Sequence, residues 1–313
     1  METILLIIVF IIGLVMIVKG GDLFVDSATG IAEKVGVSKG IIGATIVSVA
    51  TTLPELFVST IASYEGLADM AIGNALGSYI CNIAFVLGLC SLIRPIKIKG
   101  SFFTVKGLLM IISLTIFYVF CIDGIVTYIE GITLFTLVII FIILNIIEYK
   151  KEVHKGQEKG QINKRNNFGN MIYFIVGAIL IVTGSNLLVD SAVEIALMLR
   201  IPTQVISLTL IAIGTSLPEL VTAITSTIKN QQNISIGNIL GANILNIAMI
   251  IGVASLVSSG SLVVSRQTLV LDIPVAMIVA IIFVSIGTLK KGIGRFTGLI
   301  LLGLYFIYLR ILF

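Results

Sequence analysis

Tryptophan is absent from the 313 residues, and histidine occurs once, as His154. That histidine lies in a Lys/Glu-rich segment and reads as a solvated loop residue, which leaves no basis for His-built zinc sites or His-dependent catalytic triads. Cysteine is scarce as well. Cys81, Cys90 and Cys121 sit in apolar stretches, lack CxxC spacing and leave an odd count, so they read as small buried hydrophobes rather than redox or metal groups. Only 12% of the residues are charged, against about 25% in a soluble domain. Hydrophobic residues make up 58% and the mean hydropathy is +1.16. An all-α integral membrane protein is expected, with no long soluble domain left over. The net charge of +4 gives no reason to expect nucleic acid, because the basic residues are spread through short segments between apolar runs. The partner expected is the lipid bilayer, and no protein partner is evident.

A helix needs about 20 apolar residues to cross a bilayer. Ten spans are expected, approximately at 3–30, 38–63, 70–93, 102–121, 125–148, 169–196, 202–228, 234–257, 267–288 and 293–312. The first carries Glu2 and no small-residue cleavage signal, so it reads as a retained membrane helix. The first and sixth turn polar in their second halves, through Lys19, Asp22 and Asp26 and through Ser185, Asn186 and Asp190. The strongly polar stretch 148–168 is expected to be a linker between a first five-helix half, 1–147, and a second, 169–313. Its lysines mark it as cytoplasmic by the positive-inside rule. That assignment puts Lys34, Lys39, Arg94, Lys97, Lys99, Lys106, Lys229, Lys290, Lys291 and Arg295 inside, and only Arg200, Arg266 and Arg310 outside. Both termini are then expected outside, in a multi-pass protein of the cell membrane.

The two halves repeat. Adding 164 to a residue number carries Thr51, Leu53, Pro54 and Glu55 onto Thr215, Leu217, Pro218 and Glu219. The same offset carries Asp26 onto Asp190, and Gly73, Asn74, Gly77 and Asn82 onto Gly237, Asn238, Gly241 and Asn246. With an odd number of spans in each half, the second copy enters the membrane in the opposite sense. Such inverted repeats are an architecture of secondary transporters, with the site near the midplane.

Each Pro-Glu pair sits in an apolar run, where a bare carboxylate is costly unless protonated, paired or bound to a cation. Pro54 frees a carbonyl near Ala50, and Pro218 one near Gly214. Thr52, Thr51 and Ser48 stand three, four and seven residues before Glu55, on one helix face. The second copy offers Ala212, Thr215, Ser216 and Glu219. Asn74, Ser78 and Asn82 form a polar stripe, as do Asn238, Ala242 and Asn246, and the paired glycines allow close helix approach. Every ligand on offer is oxygen, which suits hard cations, and flexible carbonyls and carboxylates suit Ca2+ better than Mg2+. Two glutamates balance one Ca2+ or two Na+, so the two ions should exclude each other, which favours obligatory exchange.

Segments 43–90 and 207–254, with their G-T-S-L-P-E and G-N-x-x-G-(S/A)-x-x-x-N patterns, resemble the alpha-repeats of the cation/calcium antiporter superfamily, most closely its prokaryotic sodium/calcium exchangers. The resemblance implies a Na+/Ca2+ antiporter working by alternating access, not an enzyme, with no cofactor. It implies Glu55 and Glu219 as the central calcium ligands, and Thr51 and Thr215 as ligands by carbonyl and hydroxyl. Thr52, Ser78, Asn82 and Ser216 would complete sodium sites, with backbone carbonyls at Ser48 and Ala212. It also implies that the first and sixth helices slide against the rest. The sequence departs from the pattern at Ala50-Thr51-Thr52, where Gly-Thr-Ser is usual, at Ala242, where Ser is common, and at Asn246, which is acidic in some relatives. A Ca2+/H+ antiporter of the same superfamily is the alternative, and an intramembrane hydrolase or a passive cation channel are remoter ones. Asp26 and Asp190 are expected to be structural or gating residues, and Asp272 an interfacial one.

Overall fold

The computed structural model of the protein describes residues 2–98, 102–157, 167–199, 214, 216–258 and 261–312. Its helices are α1 (Glu2–Val35), α2 (Lys39–Tyr64), α3 (Ala68–Ile93), α4 (Phe102–Phe120), α5 (Tyr128–Gln157), α6 (Asn167–Met198), α7 (Leu217–Ile228), α8 (Gln232–Val257), α9 (Thr268–Leu289) and α10 (Arg295–Leu312). Among the described residues nine helices are long and apolar enough to cross a membrane, and α7, with 12 residues, is a shorter apolar one. The expected span 202–228 is therefore described only at 214, at 216 and over α7, and the rest of it lies outside the described residues. Of the expected linker, the first part continues α5 as helix to Gln157, and 158–166 lies outside the described residues.

The packing is inside out relative to a soluble protein. On α5, Ile139, Ile140, Ile143 and Ile147 are exposed while Asn145 is buried. Ser48, Thr51, Thr52, Glu55 and Ser59 form the buried face of α2, whereas Leu53, Phe57 and Ile61 point outward. Apolar side chains that face lipid need no burial, so polar contacts between helices are what the interior holds.

Short contacts gather the loops onto two ends. At one end β1 (Ile96–Lys97) pairs antiparallel with β4 (Gly292–Ile293). There Lys39 Nζ reaches Gln231 Oε1 at 2.8 Å, Gln232 Nε2 donates to Pro95 O at 3.2 Å, and Arg295 Nε donates to Leu92 O at 3.1 Å. Buried Lys106 pairs with Glu148 at 3.0 Å, tying the start of α4 to α5. At the other end β2 (Ile125–Val126) pairs with β3 (Leu262–Val263), and Ser63 Oγ donates to Ala254 O at 2.5 Å. Thr127 and Glu130 form a capping box at the start of α5: Thr127 N donates to Glu130 Oε2 at 2.7 Å, and Glu130 N to Thr127 Oγ1 at 3.4 Å.

The helices α1 and α6 run antiparallel along each other and share a small core with the start of α2, separate from the main one. Their contact is reciprocal. A Cβ on Gly13 would stand 2.9 Å from Gly184 O and one on Gly184 2.9 Å from Gly13 O, and Gly20 and Gly177 meet in the same way at 3.0 Å. Phe24 stacks on Phe174 just beyond, with ring centroids 4.4 Å apart.

Two structural findings differ from the regular-helix reading. Among the described residues four π-turns widen the helices, at Gly43–Val47 in α2, Cys81–Leu87 in α3, Asn246–Ile251 in α8 and Thr268–Asp272 in α9. Asp272, expected at an interface, is 5% exposed and accepts a hydrogen bond from Tyr308 Oη at 2.9 Å. A partner hydroxyl on α10 is what makes that burial affordable.

Candidate ion site

Pro54 lies inside α2, and the helix continues through it to Tyr64. Pro218 instead stands in the first turn of α7, where a missing amide costs nothing, and Glu219 follows in that same turn. The two Pro-Glu copies thus use different local geometry to reach one place. Glu55 and Glu219 are each 1% exposed, and their carboxyl groups interact directly. Among the described residues neither oxygen of Glu55, nor Oε2 of Glu219, has a hydrogen-bond donor. Two buried carboxylates facing each other with three of their four oxygens unpartnered are a strongly unfavourable arrangement, which a proton or a cation between them relieves.

Oxygen-bearing side chains surround the pair. The Thr51 hydroxyl has three acceptors within reach, Asn238 Oδ1 at 3.1 Å, Ser48 O at 3.4 Å and the Glu219 carboxylate, and its single proton serves one at a time. Ser216 Oγ donates to Ser78 Oγ at 3.3 Å, and Ser216 also touches the Cys81 thiol, which feels both carboxylates. Asn74 Nδ2 donates to Glu55 O at 3.2 Å and to Ser59 Oγ at 2.9 Å, tying α3 to α2 beside the site. Asn82 Nδ2 donates to Asn243 Oδ1 at 3.1 Å, while Asn82 Oδ1 is buried and without a partner. Asn246 is 1% exposed with both amide atoms unpartnered, at the start of the α8 π-turn, a stretch that packs on α2 and α3.

Of the residues expected from the sequence, Glu55, Glu219, Thr51, Thr52, Ser48, Ser78, Asn82, Ser216 and Asn246 are all buried in the helices that meet here. Thr215 and Ala212 lie outside the described residues. Ser48 Oγ is already spent on Thr45 O at 3.0 Å, so only its carbonyl faces this region. Asn243 went unnoticed in the sequence. It fixes the amide of Asn82, and its own Nδ2 donates to Tyr79 O at 3.4 Å. The signal available was an asparagine in an apolar run, outside the four-residue stripe.

Close helix approach sets the distances. A Cβ on Gly237 would stand 2.3 Å from Gly40 O, one on Gly43 2.4 Å from Ile234 O, and one on Gly241 2.5 Å from Ser48 Oγ. The first halves of α2 and α8 therefore touch backbone to backbone, and this contact delivers Asn238 to Thr51. For Gly73 and Gly77 no described atom lies that near.

The exposed Asp26 joins Lys229 at 2.8 Å, and Asp22 joins it at 3.1 Å, so the loop after α7 clasps the second half of α1. Burial alone pulls the Lys229 ammonium down, but hydrogen bonds and charge from Asp26 and Asp22 outweigh it and hold it above its ordinary value. A raised lysine contributes stability below its unfolded value and loses it as pH rises through the folded one. The melting difference between the wild type and Lys229→Gln is thus expected to be flat from about pH 7 to 10 and to vanish above that. Its size should stay within about 1 kcal/mol, as for other partly exposed pairs. A difference that vanishes below pH 9 would show that Lys229 carries no such clasp.

A sequence model of the family described as sodium/calcium exchanger protein matches residues 5–147 and 169–313. An uncharacterised membrane protein of Methanocaldococcus jannaschii is 35% identical over 299 residues, covering 95% of each chain. The sodium/calcium exchanger MaX1 of Methanosarcina acetivorans is 30% identical, covering 97% of each. A solved structure of the sodium-calcium exchanger NCX_Mj, soaked with zero Na+ and Ca2+, matches with a TM-score of 0.86 at 32% identity, covering 99% of this chain and all of the other.

Proposed function

The chain belongs to the sodium/calcium exchanger protein family, and from that premise we propose that it is an antiporter exchanging Na+ for Ca2+ by alternating access at the Glu55–Glu219 pair. The observation that carries this reading is the facing carboxylates, with three of their four oxygens unpartnered among the described residues, within a shell of hydroxyl and amide oxygens. One Ca2+ neutralises both glutamates. Sodium ions take the same charge in smaller units, and the neutral oxygens of Ser78, Asn82, Thr52 and Ser216 supply what further sodium needs. Thr51 and Thr215, the carbonyls of Ser48 and Ala212, and Asn246 complete the ligand set we propose.

The architecture we propose is ten spans in two inverted halves, 1–147 and 169–313, with termini outside. Support comes from the reciprocal glycine contacts of α1 and α6, which the offset of 164 exchanges: Gly13 corresponds to Gly177, and Gly20 to Gly184. The two ribbons at opposite ends point the same way. The basic loops around Lys39, Arg94, Lys229 and Lys291 share one end, as a cytoplasmic face requires. The reciprocal glycine contacts that hold α1 against α6 along their length support their moving as a pair.

A facing glutamate pair can also share protons, and this one observation favours the Ca2+/H+ alternative. Radioactive calcium uptake into proteoliposomes distinguishes the two. Uptake driven by an outward sodium gradient at equal pH is expected; uptake driven only by a proton gradient overturns the sodium reading, and uptake with neither gradient indicates a channel.

Ala242 makes the sodium positions unequal. Ser216 has its partner in Ser78, whereas Thr52, the counterpart of Ser216, has a buried hydroxyl with no partner, as follows when Ala242 stands opposite. Ala242→Ser supplies that oxygen. It is expected to lower the half-saturating sodium concentration severalfold, a hydrogen-bond-sized effect of about 1 kcal/mol, with calcium dependence little changed. A larger change for calcium than for sodium would remove Ala242 from the sodium side.

A further inference from the structure

An apolar groove of about 650 Å3 lies on the flank of the bundle, between the first half of α2 and the second half of α5, with Leu245 and Met249 of α8 as its floor. Its size falls within the ~300–1,000 Å3 range of small-ligand sites. Ile142, Ile146, Val49 and Leu53 line it and are 39% to 50% exposed, so it opens sideways, where the bilayer lies. It is separate from the Glu55–Glu219 site, and no step of exchange requires it.

One feature distinguishes it from ordinary lipid-facing surface. The groove ends at Tyr149, half-exposed, immediately before exposed Lys150 and Lys151. Lys150 stands four residues after Ile146 and so continues the groove face by one turn. This is the end at which the basic loops gather. Basic residues at the mouth of a crevice between membrane helices attract anionic headgroups, with each lysine near the surface worth roughly fivefold in affinity.

We propose that the groove binds one molecule of an anionic phospholipid. One acyl chain lies between α2 and α5 along Ile142 and Ile146. The phosphate sits at Lys150 and Lys151. An uncharged chain of the same length would fill the apolar part and leave the lysines unserved.

The test is native mass spectrometry of the intact protein released from bilayers of equal parts phosphatidylglycerol and phosphatidylcholine. One phosphatidylglycerol per chain is expected to survive, in at least tenfold excess over phosphatidylcholine. Ile142→Trp, at a half-exposed position where a larger ring does not disturb the core, fills the groove and should cut retention severalfold. Lys150→Gln with Lys151→Gln should leave a lipid bound but bring the ratio towards unity. Equal retention of the two lipids by the wild type would mean a general lipid shell and would overturn the site, and so would full retention in Ile142→Trp or an unchanged ratio in the double lysine variant.

Discussion

Glu55→Gln and Glu219→Gln are each expected to abolish calcium exchange in proteoliposomes. Either change leaves one buried carboxylate to balance a divalent cation, and removing one member of a buried charge set costs about 3–5 kcal/mol. At 1.4 kcal/mol per factor of ten, that is a loss of at least a hundredfold. The same substitution should leave the cation-free protein as stable as the wild type or more so, because it relieves two facing carboxylates with three of their four oxygens unpartnered among the described residues. Ligand linkage makes this measurable: calcium raises the melting temperature of a protein that binds it in the folded state. The expected result is a variant with an intact cation-free melt and no calcium-induced rise. Wild-type exchange rates in both variants would remove the pair from the site, whereas a variant that simply fails to fold would show a lowered melt in the absence of calcium.

Gly237→Ala should be nearly as damaging, although it changes no polar atom. Its Cβ would stand 2.3 Å from Gly40 O and 2.8 Å from Ala44 N, both backbone atoms that cannot turn aside. The first halves of α2 and α8 must then separate. Overpacking of this kind costs about 1–3 kcal/mol, and contact with backbone places it at the upper end. Separation also draws Asn238 away from Thr51, a hydrogen bond of 3.1 Å at the edge of the ion site. Displacements near 1 Å cost on the order of a hundredfold in other preorganised sites, and a similar fall in exchange is expected. Gly303→Ala is the control, since a Cβ there meets nothing within 4 Å and Gly303 is exposed on α10. Its exchange rate should be unchanged and its stability equal or slightly higher, because alanine is the better helix former. Equal effects of the two substitutions would show that the α2–α8 contact does not set the site.

Much of this molecule was legible before folding, because the bilayer imposes a rule that short windows of sequence can satisfy. Apolar runs of the right length must be helices, since no other structure pairs every backbone group within one segment. A carboxylate in such a run must have a use. The offset of 164 residues then identified Glu55 with Glu219, and the i−3, i−4 and i−7 spacing of Thr52, Thr51 and Ser48 put them on the face that proves to be buried. The π-turns were not legible, because a widened turn inside an all-apolar run leaves no mark in its periodicity. Nor was the difference between the copies, in which Pro54 is carried inside α2 while Pro218 opens α7. The identical residues around them hid it.

The sequence by itself showed which runs are long and apolar enough to be helices of a membrane protein, that one stretch recurs at an offset of 164, and that each copy carries a glutamate among oxygen-bearing residues. Those are properties of composition and spacing, read one helix at a time. Only the tertiary structure decided which oxygens remain free. Asn82 keeps its Oδ1 because Asn243, from a different helix, takes its Nδ2, and Thr52 lacks the partner that Ser216 finds in Ser78. Asp272, one residue among many near a helix start, is a buried carboxylate that Tyr308 serves from α10, beside Thr268 and Gln267 of its own segment. Whether a polar atom is spent or available depends on what the neighbouring helix brings to it, as for Asn82 and Asn243, which are 161 positions apart.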